Sequence, residues 1–89
     1  MANVTFTSNL QRHVKCPATE APGETVGEVL DTVFAENEVL RGYVLDEQGA
    51  LRKHMAIVVD GGVIADRVRL SDKVTPRSRI FVLQALSGG

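Results

Sequence analysis

Arg79-Ile80-Phe81-Val82-Leu83-Gln84-Ala85-Leu86-Ser87-Gly88-Gly89 closes the sequence, and this stretch decides how the rest is read. Residues 79–85 are nearly all apolar, as in a central strand covered on at least one side. Side chains alternate between the faces of a strand, so Ile80 and Val82 share one face and Phe81 and Leu83 the other. Leu86 to Gly89 remain as a short tail. Glycine has no Cβ, so a Gly88-Gly89 segment is slim and can thread a narrow channel. A glycine pair alone is a weak signal that also fits a frayed end without a role.

A strand this apolar needs a covering layer, and the sequence supplies one. Thr25-Val26-Gly27-Glu28 predicts a capped helix start: the Thr25 oxygen accepts from a first-turn N–H, and Glu28 reaches back to the Thr25 N–H. Val26, Val29, Leu30, Val33 and Phe34 then recur at i, i+3, i+4, i+7 and i+8, one apolar stripe. Glu28, Asp31, Thr32 and Glu36 face away. The helix is expected from Val26 to about Glu38.

Further out, Val4-Thr5-Phe6-Thr7 alternates as a half-buried strand. His13-Val14-Lys15-Cys16 is expected as a second strand ended by Pro17, with a loop from Ala18 to Gly23. Gly42 argues against helix in Val39–Leu45, so a bend and then a strand are expected there. Asp46-Glu47-Gln48-Gly49 is a turn, and Leu51 to Val59 resumes an extended pattern. Asp60-Gly61-Gly62 is a hairpin turn with Val63-Ile64 as its short return. Leu70 to Val74 is expected as a 3₁₀-like helical turn stopped by Thr75-Pro76. One helix stripe on one sheet face gives a two-layer α+β domain.

Composition narrows the function. The 89 residues allow one domain. Ten Lys and Arg oppose eleven Asp and Glu, which gives no support to a nucleic-acid binder. Cys16 is the only cysteine, which excludes an internal disulfide and a four-thiolate iron–sulfur cluster. Two histidines and one cysteine are too scattered for a recognisable zinc site. No apolar run approaches the ~20 residues of a membrane span, so no membrane partner is expected. Met1-Ala2-Asn3-Val4-Thr5 has neither a basic segment nor an apolar core of a secretory signal, so a soluble cytoplasmic protein is expected.

No residue reads as catalytic. On the expected strand, His13 and Cys16 stand three apart and point to opposite faces, which denies them the reach of a nucleophile–base pair. His54 has no partner in the pattern. The acidic residues are spread over turns and the outer helix face. Arg67, Arg69, Arg77 and Arg79 form a local basic concentration, read as solvated strand and loop positions or as steering toward an acidic partner rim.

The order of elements, the Asp60-Gly61-Gly62 hairpin, the Leu70-Ser71-Asp72 turn and the strand Ile80–Ala85 running into Leu86-Ser87-Gly88-Gly89 resemble the ubiquitin-like β-grasp sulfur carriers. That group includes the thiamine-pathway carrier, the small subunit of molybdopterin synthase and a carrier for cysteine synthesis. The resemblance covers essentially the whole chain, and its one sharp motif is Gly88-Gly89. The segment Gly42–Lys53 is longer than the thiamine-pathway carrier leads one to expect.

The resemblance implies a mixed sheet of four to five strands on one main helix, with a domain over residues 1–85 and a tail over 86–89. It implies a carrier acted on by enzymes, not an enzyme. An E1-like adenylyltransferase would use ATP to adenylate the Gly89 carboxylate. A sulfur donor protein or sulfide would displace AMP and leave a thiocarboxylate. A downstream sulfur-accepting enzyme would take the sulfur. Gly89 carries the sulfur and Gly88 lets the backbone lie flat. No cofactor is bound permanently. Phe81 and Leu83 would lie on the open face beside Val58 and Ala56, and Phe81, Leu83 and Val58, with Leu86 and Ser87, would contact partners. Three other readings share the fold: a ubiquitin-like modifier joined to lysines, a permanent small subunit such as that of molybdopterin synthase, and an interaction domain whose tail is never activated.

Overall fold

The computed structural model describes residues 1–12 and 14–84, with elements β1 (Ala2–Phe6), α1 (Ser8–Gln11), β2 (Thr19–Ala21), α2 (Val26–Ala35), α3 (Glu38–Val44), β3 (Met55–Val59), β4 (Gly62–Val63) and β5 (Arg79–Gln84). The sheet order is β2-β1-β5-β3-β4. β5 lies at its centre, parallel to β1 and antiparallel to β3; the β1–β2 and β3–β4 pairs are antiparallel. This is the mixed sheet on a main helix that the resemblance implies.

Alternation fixes which face is dry. Ala2, Val4 and Phe6 of β1, Ile57 of β3, and Ile80 and Val82 of β5 are all buried. They meet Val26, Val29, Leu30 and Phe34 of α2, with Val33 half-buried at the edge of the stripe. Each fully buried aliphatic or aromatic side chain contributes about 1.5–3 kcal/mol, so this layer contact is the main source of stability.

The helix starts where expected. The Thr25 hydroxyl accepts from the Glu28 N–H at 3.2 Å. The Glu28 carboxylate, however, accepts from the Glu24 N–H at 3.3 Å and not from Thr25. Thr25 instead forms a bridge with Lys73, and the Asp72 carbonyl accepts from the Val26 N–H. Segment 65–74 thus covers the start of α2 and packs closely against it. A Cβ on Gly27 would stand 3.3 Å from the Arg69 and Leu70 carbonyl oxygens. α2 ends at Ala35, earlier than expected, because Glu36 and Asn37 turn the chain into α3.

Three expectations are corrected. The second strand is Thr19–Ala21, not His13–Cys16. Val14 and Cys16 are buried and Lys15 exposed, so the alternation is real, but Val14 closes the α1 turn by bonding to the Leu10 carbonyl instead of entering a ladder. Residues 38–44 form a helix despite Gly42, because Asn37 caps it through the Leu40 N–H and Leu40 and Val44 bury one side. The expected helical turn at Leu70–Val74 is absent; the turn is at 67–69, closed by Leu70 N–H to the Asp66 carbonyl, and Leu70 takes a φ of 55°.

The loop 65–72 is held by two carboxylates. Asp66 accepts from the N–H groups of Val68 and Arg69 and from the Ser71 hydroxyl. Asp72 accepts from the N–H groups of Ala65 and Asp66. The Arg69 N–H first, and then the Ser71 hydroxyl, hold the Asp66 carboxyl down at about 2. The backbone N–H of Ala65 is the largest cause that lowers Asp72. Arg67, expected as a solvated position, is half-buried and donates to the carbonyls of Arg52 and Met55, both at 2.8 Å.

Candidate functional site

The face of the sheet away from α2 carries the candidate site. Directly paired residues of neighbouring strands point to one face. Phe81 of β5 is opposite Val58 of β3, and Val58 is opposite Val63 of β4. On the other side Phe81 is level with Thr5 of β1. The result is a row Thr5–Phe81–Val58–Val63 across four strands. Phe81 is 41% exposed and Val63 69% exposed. Leu83 and Ala56, opposite one another and half-buried, extend the row toward the end of β5.

A polar border flanks this row. Asn3 is level with Arg79, and Glu20 of β2 is opposite Asn3. A shallow depression lined by Asn3, Thr5, Glu20, Arg79 and Phe81 runs along it. The Asp60 carboxylate accepts from the Arg79 N–H at 2.9 Å, and the Asp60 N–H donates to the Arg79 carbonyl. This pair ties the hairpin turn to the start of β5. Asp60 and Gly61 have φ values of 50° and 89°, the two positive values of a tight two-residue hairpin turn.

Phe81, Leu83 and Val58 therefore come together on the open face, and Ile80 and Val82 lie in the core, as alternation along β5 predicts. Val63 belongs to the same surface and was not singled out by the sequence pattern. The signal was there: a two-residue turn at Asp60-Gly61 pairs Val58 with Val63. Leu86, Ser87, Gly88 and Gly89 lie outside the described residues, as does His13.

The described side chains offer little chemistry of their own. Cys16 is buried, and desolvation pushes its thiol up, away from thiolate reactivity. His54 is exposed. Among the described residues, no group of three His, Cys, Asp or Glu could hold a metal ion, and no helix is long and apolar enough to cross a membrane. Arg69, Arg77 and Arg79 are exposed and Arg67 is not, so the basic concentration is three solvated side chains and one structural clamp.

No family model and no curated protein matches the sequence. Solved structures do match. A chain of the Amycolatopsis orientalis BexX/CysO complex is 22% identical, covers 100% of both chains and superposes with a TM-score of 0.82. Mycobacterium tuberculosis CysO is 19% identical over 97% of this chain and 100% of its own, with a TM-score of 0.80. Small archaeal modifier protein 1 of Methanosarcina acetivorans is 21% identical over 99% of this chain and 95% of its own, also with a TM-score of 0.80. The chain has the ubiquitin-like β-grasp fold.

Proposed function

We propose that the chain is a protein-borne sulfur carrier whose open sheet face docks an activating enzyme while its Gly88-Gly89 segment enters that enzyme's active site. A free carboxylate is a poor electrophile. An E1-like adenylyltransferase binding Phe81, Val58 and Leu83, and then Leu86 and Ser87, would place the Gly89 carboxylate against ATP. A carboxylate oxygen attacks the α-phosphorus and pyrophosphate leaves, giving an acyl-adenylate. Sulfide attacks the acyl carbon, AMP leaves and a thiocarboxylate remains. Where a sulfur donor protein supplies a persulfide instead, its outer sulfur attacks and AMP leaves; a thiol reductant then cleaves the acyl disulfide, releasing the thiocarboxylate and taking the donor sulfur into a new disulfide. A downstream enzyme then accepts the sulfur. The chain contributes no catalytic group and no resident cofactor.

The observation that carries this reading is the apolar row Phe81–Val58–Val63, exposed at Phe81 and Val63 and half-buried at Val58, on and beside β5, the strand that leads into residues 85–89. Clustered exposed apolar side chains mark interaction surfaces. The full-length likeness to CysO from two organisms, one of them in a complex with BexX, supports a small carrier that works with partner proteins.

The names of the archaeal modifier proteins among the structural relatives favour a second reading, in which activated Gly89 is joined to lysines. Intact-protein mass spectrometry separates the two. The full chain is incubated with source-cell extract, ATP and sulfide beside a version lacking Gly89. A tail-dependent gain matching one oxygen exchanged for sulfur is the expected result. Tail-dependent conjugates of larger mass would select the modifier instead. Neither change, in an extract that activates a control carrier, would overturn both.

A further inference from the structure

Gly23 and Gly27 pack closely against their neighbours, and Gly49 and Gly61 sit in turns at positive φ. A Cβ on Gly23 would stand 2.8 Å from the Val29 nitrogen, which the packing does not admit, and one on Gly27 would stand 3.3 Å from two carbonyl oxygens, a tight contact. Gly42 is different. It sits inside α3, its φ is not positive, and a Cβ there would meet nothing within 4 Å. Glycine in a helix interior is disfavoured relative to alanine. The fold thus carries a helix-weakening residue that its own packing does not need.

The surroundings of Gly42 show what could need it. A groove is lined by Gly42, Tyr43, Arg52, His54 and Gln84. The Arg52 side chain donates from Nε to the Gly42 carbonyl at 2.8 Å, which fixes the guanidinium beside the bare backbone. No lining residue is acidic; Asp46 and Glu47 line a separate depression with Arg52. Gln84 is the last residue of β5 and is in register with buried Met55, so it belongs to the α2 side of the sheet, opposite to Phe81 and Leu83. The groove and the open face therefore lie on the two sides of the sheet around Gln84, the last residue of β5.

We infer that this groove is a second docking surface, taken by an extended, carboxylate-bearing segment of the adenylating partner that passes its main chain over Gly42. The inference rests on the carrier reading. The missing side chain lets a second backbone approach α3 closely, and Arg52 and His54 meet the acidic side chains. A partner holding both surfaces would grip the tail at its root and leave only the last residues free to extend into its active site.

The test uses the full chain with the adenylating enzyme of the same organism, measuring affinity by calorimetry and ATP-dependent pyrophosphate release, beside thermal unfolding of each variant. G42Q is expected to unfold at a higher temperature than the unaltered chain, because glutamine is the better helix former. It is also expected to bind the enzyme about tenfold more weakly, the weight of one of the minority of interface residues that carry binding energy. H54E is expected to weaken binding similarly without changing stability. Unchanged affinity in G42Q and H54E, with the unaltered chain still adenylated, would overturn the groove and leave the carrier reading standing. A lower unfolding temperature in G42Q would show that the fold itself needs the glycine and would also overturn it. Faster adenylation of G42Q would assign the groove to the chain's own tail. Failure of the unaltered chain to bind or be adenylated would overturn the carrier reading and this inference together.

Discussion

Phe81 and Val58 stand opposite one another on β5 and β3 and point away from α2, while their sequence neighbours Ile80 and Val59 form the next pair of the same ladder. Ile80 is 1% exposed and Phe81 41% exposed. One residue of displacement along the strand thus separates a core position from a docking position, because the side-chain period of a strand is two.

That contrast gives the first prediction. Ile80→Ala should cost about 2–5 kcal/mol in urea unfolding, as for a fully buried aliphatic residue cut to alanine. Phe81→Ala should cost about 1 kcal/mol or less, since much of the ring already faces solvent, yet it should weaken binding to the activating enzyme. Comparable stability losses in the two variants would place Phe81 in the core and move the docking face elsewhere.

Val63 extends the same test to a residue with almost no structural duty. It is 69% exposed at the edge of the sheet, so Val63→Ser should leave unfolding within about 0.5 kcal/mol of the unaltered chain. If the row Phe81–Val58–Val63 is one surface, the substitution should still reduce affinity for the activating enzyme in calorimetry. Full affinity would confine the surface to β5 and β3.

The two faces of β5 were legible because alternation in Arg79–Gln84 is a local property of that segment. The helix α2 was legible for the same reason: its cap at Thr25 and its stripe are short-range. β2 was not. Thr19-Glu20-Ala21 has little strand character, and it pairs because Ala2–Val4 present a free edge beside it. Val14-Lys15-Cys16 imitates a strand by burying alternate residues under a loop. α3 was hidden by Gly42, whose effect on helix propensity outweighed the Leu40–Val44 spacing and the Asn37 cap in a sequence-only reading. Val63 required the register of a hairpin, a non-local fact. Clamps such as Arg67 were illegible because their partners, Arg52 and Met55, are distant in sequence.

Arg67 supplies a prediction about that clamp. Its guanidinium satisfies two backbone carbonyls just before and at the start of β3. Arg67→Met keeps most of the apolar stem and removes both donors. A charged donor to a backbone carbonyl contributes about 1.5–3 kcal/mol, so a loss of about 2 kcal/mol in urea unfolding is expected. A loss below about 0.5 kcal/mol would show that water replaces the guanidinium at both carbonyls.

Gly23 tests the approach of the chain to α2. Its φ of 153° is one that side-chain-bearing residues rarely adopt, and an added Cβ would lie 2.9 Å from both the Glu28 Cβ and the Val29 Cγ2. Strain and overlap act in the same direction, so Gly23→Ala should destabilise by about 1–3 kcal/mol. Gly61 is the control. Its φ is also positive, but an added Cβ meets nothing within 4 Å, so Gly61→Ala should cost less than Gly23→Ala. Equal losses would mean that the backbone angle alone, and not the contact with α2, sets the requirement at Gly23.

The carboxylates of Asp66 and Asp72 make stability depend on acid. Both are held below their ordinary value of 3.8 in the folded chain, Asp66 down to about 2, chiefly by backbone N–H donors. A group whose pKa is lowered by folding stabilises the fold above its unfolded pKa, and that contribution disappears as pH falls through its folded pKa. The stability supplied by Asp66 is therefore complete near neutrality and is lost between about pH 4 and pH 2. Asp66→Asn keeps one carbonyl acceptor but has no charge to lose. Its unfolding midpoint in urea should be lower than that of the unaltered chain at pH 7 and should fall less steeply from pH 4 to pH 2, the two curves converging at the acid end. Parallel curves across that range would show that Asp66 is not the group whose protonation loosens the loop over the start of α2.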